Sequence, residues 1–127
     1  MQELSLNLTD AMERLRRFAQ ERDWDQFHTP KNLVMALSGE VGELNELFQW
    51  LTPDQSRTLM DNPVKAEAVR DELADILSYC LRLADQLGVD LEAALVAKMA
   101  KNASKYPVHL AKGSAAKYTE LSPKSRP

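Results

Sequence analysis

Apolar residues recur at three- and four-residue steps in four long stretches of the chain, separated by prolines and short polar runs. The first stretch, Met12, Leu15, Phe18 and Ala19, predicts a helix capped near Asn7 or Thr9 and running to about Asp23. Thr29-Pro30 pairs a cap with a proline suited to the first helical position, and opens a second helix through Leu33, Leu37, Val41, Leu44, Leu47 and Phe48. Thr52-Pro53 ends that helix after Leu51, and the polar segment from Pro53 to Asn62 has room for one short helical turn over Asp54 to Leu59. Asn62-Pro63 repeats the start signal. The third helix carries Val69, Leu73, Ile76, Leu77, Cys80, Leu83 and Leu87 and stops at Gly88. Asp90 caps a fourth through Leu91, Leu95, Met99 and Asn102, which Pro107 ends. Beyond Val108 the periodicity fades, and residues 122–127 read as a disordered tail. The pattern predicts an all-α, four-helix-bundle-like domain over residues 1–121.

Helices two and three are apolar over more than one face, which predicts burial against a second copy of the chain, a homo-oligomer. Composition changes this picture little. The 127 residues suffice for one core, with 44% apolar and 28% charged residues. A net charge of -3 gives no electrostatic case for binding a nucleic-acid polymer. No apolar run approaches a membrane span, and the first residues lack a basic-then-apolar leader. The single cysteine, Cys80, sits in an apolar helical pattern and reads as a small core residue. A cytoplasmic location follows by default.

Chemistry enters through two pairs of acids. Glu40 and Glu43 stand three residues apart on helix two, and Glu72 and Asp75 on helix three. Residues so spaced share a helix face, so each pair aims two carboxylates one way. Should the helices face each other, four like charges converge, and a divalent cation or a proton must offset their repulsion. An all-oxygen shell suits magnesium or manganese, not zinc or copper. A di-iron centre would want Glu-x-x-His on two helices, and His28 and His109 both fall outside helix interiors.

The surrounding words sharpen the reading. Glu40-x-x-Glu43, 28 intervening residues, then Glu72-x-x-Asp75 resembles the all-alpha nucleoside triphosphate pyrophosphohydrolases, the MazG-like superfamily. The runs 21–28 (ERDWDQFH), 39–44 (GEVGEL) and 46–50 (ELFQW) resemble its dCTP pyrophosphatase branch. So do Lys98-Met99, Asn102, Tyr106-Pro107, His109-Leu110-Ala111 and the run 117–121 (KYTEL). The likeness extends from Thr9 to Leu121 and departs most in the Pro53 to Asn62 connection. It implies a MazG-type helical fold assembled as an oligomer, often a tetramer. It also implies that Glu40, Glu43, Glu72 and Asp75 hold magnesium and that dCTP, or a modified dCTP, is cut to dCMP and pyrophosphate.

Other residues are candidates for the substrate. By the resemblance, Trp24 and Trp50 line the base and sugar pocket, where an aromatic face suits a pyrimidine; the plain alternative is packing at helix ends. Tyr79, four residues after Asp75, either reaches a phosphate or serves as a core tyrosine. Lys98, Asn102 and Tyr106 share one face of helix four, with Lys101 and Lys105 a neighbouring solvated row. His28 either touches substrate or caps its loop. Glu46 and Asp71 adjoin the acid rows as outer groups or surface partners, and Lys112 to Leu121 has the reach to fold over a site. Two other functions share the acids: a pyrophosphohydrolase of different or broad specificity, such as for dUTP, and a helical interaction module holding a structural cation.

Overall fold

The structure, a computed structural model, describes residues 6–121. Every regular element among them is helical, as the periodicity predicts. The order is α1 (Leu8–Glu21), α2 (Pro30–Phe48), α3 (Pro53–Arg57), α4 (Pro63–Leu87), α5 (Leu91–Lys105) and α6 (Val108–Ala111). Short 3₁₀ turns cover Leu59–Asp61 and Tyr118–Glu120. The residues fall into two compact units, one ending at Asp90 and the other beginning at Leu91. The tail expected over 122–127 lies outside the described residues.

In the first unit α4 is the spine: α2 packs along it most extensively, and α1 adds a smaller contact. Leu33, Ala19, Ala66, Val69, Leu81 and Ala84 form its buried apolar positions. Small residues at Ala19, Ala66 and Ala84 allow close approach, and burying Leu33 and Leu81 contributes about 1.5–3 kcal/mol each.

Local chemistry explains the boundaries. Asn7 caps α1 by accepting from the Asp10 N–H at 2.8 Å, and Thr29 caps α2 by accepting from the Asn32 N–H at 3.2 Å. Asn62 caps α4 by accepting from the N–H groups of Val64 and Lys65. α2 ends at Phe48, three residues before the expected stop. The extended backbone of Thr52, at ψ 161°, starts a separate helix there. α3 is fixed by a reciprocal capping box between Thr52 and Gln55, so the short helical turn expected over Asp54 to Leu59 forms one residue earlier, over Pro53–Arg57.

Two helix ends reverse through left-handed residues. After α1, Asp23 has φ 54°, Trp24 N–H donates to the Ala19 carbonyl at 2.9 Å, and Asp23 N–H donates to that of Gln20 at 3.0 Å. After α4, Gly88 has φ 68°, and Val89 N–H reaches the Ala84 carbonyl at 2.9 Å. Both are the 6→1 closure that satisfies carbonyls left over at a helix C-terminus. The first of them fixes where Trp24 stands.

The second unit holds α5 and α6. Along α5, Leu95, Val96 and Met99 are exposed. Tyr106 meets Tyr118 edge to face at 6.1 Å, and Lys105 Nζ lies 4.9 Å from the Tyr118 ring centre.

Candidate functional site

The two acid-bearing helices do face each other. Glu40 and Glu43 on α2 and Glu72 on α4 bring carboxylate oxygens within 4.8 Å of one another. The Oε2 atoms of Glu40 and Glu72 are buried with no hydrogen-bond donor. Two ionised carboxylates cannot satisfy each other, because neither has a proton to give. A proton shared with Glu72, then burial, then Glu43 push the Glu40 carboxyl up to about 7. Orphaned, crowded oxygens are what a hard divalent cation resolves, so the donor set fits such an ion. Asp75 falls outside the 4.8 Å cluster, and Glu46 and Asp71 are exposed.

Glu40 and Asp75 open onto a cavity of about 310 Å³ whose other walls are Leu15, Phe18, Ala19, Trp24, His28, Ser78, Tyr79 and Arg82. Helical periodicity on α4 explains one side of this wall. Asp75, Ser78, Tyr79 and Arg82 follow at steps of three and four and present one face. α1 supplies Leu15, Phe18 and Ala19, and the loop after it supplies Trp24 and His28. Trp24, held by the turn at Asp23, meets Phe18 edge to face at 5.6 Å and His28 at 6.0 Å. His28 backbone N–H donates to the carbonyls of Trp24 and Asp25 within the loop, and Asn32 Nδ2 of α2 donates to the Phe27 carbonyl at 3.0 Å.

Periodicity alone does not flag one member of this wall. Arg82 is 3% exposed in an apolar run, and its partners lie up to 57 residues away. Its Nε donates to His28 Nδ1 at 3.3 Å, and its terminal nitrogens donate to Asp85 and Asp25 at 3.2 Å each. Arg16 in turn binds both oxygens of Asp85. That bond with Arg16 chiefly holds the Asp85 carboxyl below its ordinary range. Burial first, and Arg82 second, keep the His28 ring below its ordinary pKa and so neutral at pH 7. The available signal was a charged residue at a core position, which requires partners.

Trp24, His28 and Tyr79 line the cavity; Trp50, just past α2, is 88% exposed and is not in its wall. Lys98 and Asn102 are exposed on α5, and Tyr106 makes its aromatic contact within the second unit.

The model of the MazG-like family matches residues 35–121, which contain both acid pairs and all of α4. The chain belongs to the MazG-like family. A crystal structure of a pyrophosphatase from Archaeoglobus fulgidus superposes with a TM-score of 0.74 at 35% identity, over 84% of this chain and 98% of that one. At the sequence level, this MazG-like chain is 51% identical over 104 residues to the rat and human proteins named dCTP pyrophosphatase 1. The bovine protein of the same name is 52% identical. These matches cover 82% of this chain, which spans about three fifths, 61–62%, of those relatives' length.

Proposed function

We propose that this chain hydrolyses dCTP to dCMP and pyrophosphate with magnesium, as a nucleotide-pool enzyme of the cytoplasm. One observation carries the reading: Glu40, from a three-carboxylate cluster of two helices with two orphaned oxygens, opens together with Asp75 onto an aromatic-walled cavity. Half-identity to proteins named dCTP pyrophosphatase 1 supports the substrate. Glu40, Glu43, Glu72 and Asp75 would hold the metal. When bound, magnesium neutralises triphosphate oxygens and activates water for attack.

The chain's own residues do the rest by positioning. Trp24 and Phe18 offer aromatic surface to a base, and Tyr79, four residues beyond Asp75, puts a hydroxyl beside the acid end. Cleavage between the α and β phosphates, as the family resemblance implies, consumes one water and leaves the nucleoside monophosphate. Lys98, Asn102, Tyr106 and the exposed Trp50 belong to the proposed substrate-binding set. An oligomer, with a tetramer favoured, would cover the apolar surface left open on α2, α4 and α5.

The test is pyrophosphate release from each of the eight common nucleoside triphosphates, with magnesium and with EDTA. Magnesium-dependent release, fastest from dCTP, is expected. Faster release from dUTP would reassign the substrate, and none from any nucleotide would leave a helical module with a structural cation.

A further inference from the structure

The cavity has an end that the acids do not explain. Arg82 follows Asp75 by seven residues on α4, which places it about 10 Å along the helix axis from the acid end. Its three nitrogens each make one hydrogen bond, to His28, Asp85 and Asp25. A guanidinium has five N–H groups, so one remains on each terminal nitrogen. Asp25 and Asp85 offset its charge, and Arg16 fixes Asp85 from the far side. A guanidinium balanced in this way is poorly suited to a second anion such as a phosphate. It is well suited to neutral acceptor atoms, to which it presents fixed, paired donors.

Among the pyrimidines only cytosine offers two adjacent acceptors, O2 and N3. Uracil and thymine carry a hydrogen on N3, so a donor fork there meets another donor and leaves both unpaired. We propose that Arg82 is the specificity-determining residue, donating its two remaining N–H groups to O2 and N3 of cytosine, with the ring between Trp24, Phe18 and Leu15. Asp25, Asp85 and His28 are positioning residues that lock the guanidinium. The inference rests on the dCTP reading above and assigns the discrimination between dCTP and dUTP to one side chain.

The substrate itself can be edited, which leaves the protein intact. In 3-deaza-dCTP a C–H replaces N3 and removes one acceptor. For the wild-type chain, kcat/KM for this analogue is expected to fall by about 10- to 150-fold relative to dCTP, the range for losing a hydrogen bond to a charged group. In Arg82→Met the two should be cleaved within about threefold of each other, and the dCTP-over-dUTP preference should shrink about tenfold or more. A purely structural role would lower the melting temperature and all rates together without changing these ratios. Should Arg82→Met fail to fold, the wild-type comparison decides alone. Wild-type cleavage of 3-deaza-dCTP within about threefold of dCTP overturns the proposal, as does a folded Arg82→Met that keeps both preferences. Absence of turnover with every nucleotide would instead defeat the proposed function. Calorimetry with dCMP and 3-deaza-dCMP then still reads the base site: about tenfold tighter dCMP binding upholds the Arg82 assignment, and equal binding overturns it.

Discussion

Glu40 bears the electrostatic crowding of the acid cluster. Its carboxyl is raised to about 7 by the Glu72 contact, burial and Glu43. A group raised in the folded state contributes stability that is complete below its unfolded pKa, near 4.5, and is lost as pH rises through about 7. His28, lowered by burial and by Arg82, pulls the opposite way below its ordinary value. The difference between wild type and Glu40→Gln removes the His28 contribution. In EDTA the wild-type melting temperature should fall relative to the variant between pH 5 and pH 8, leaving Glu40→Gln about 2–4 °C more stable at pH 8. Magnesium should close that gap by stabilising the wild type, while the variant loses roughly 100-fold or more of its activity. Identical pH profiles in EDTA would remove Glu40 from the crowded cluster. At this scale the acids were legible because their spacing repeats. Arg82 was not, because its meaning comes from Asp25 and His28, which lie 57 and 54 residues away in sequence.

At the scale of elements, the site depends on where helices stop. The turn at Asp23 aims Trp24 at Phe18, and Gly88 closes α4 in the left-handed region. Space is not the constraint at Gly88, since an added Cβ would meet nothing within 4 Å; the backbone angle is. Gly88→Ala should therefore cost about 1 kcal/mol, seen as a melting temperature about 3–5 °C lower, with kcat little changed. An unchanged melting point would show that the α4 terminus relaxes to another closure. Most helix boundaries were readable because Thr29-Pro30, Asn62-Pro63 and Gly88 act locally through caps and fixed φ angles. The Thr52 to Gln55 box was harder to read. Its proline stops one helix and starts another, and the pattern alone does not separate a stop from a restart.

For the whole molecule, the exposed apolar residues are the main unresolved energy. Val34, Met35 and Val41 on α2, Leu73 and Leu77 on α4, and Leu95, Val96 and Met99 on α5 are all about half or more exposed. The proposed oligomer would cover this surface. Light scattering should give a mass near four times the 14.3 kDa chain, and a stable monomer would contradict this. The fold class was legible from periodicity alone. The assembly is only implied, because a sequence reports surplus apolar surface without reporting its symmetry. No helix among the described residues is long and apolar enough to cross a membrane.

On the proposed function, the α2 and α4 acids hold a divalent cation for cutting dCTP. The most direct test is pyrophosphate release from dCTP across a magnesium titration, for wild type and Glu72→Gln at matched fold content. Saturable magnesium dependence is expected in the wild type, with a rate lower by roughly 100-fold or more in the variant. Full turnover in EDTA, or a folded Glu72→Gln as active as the wild type, would contradict it.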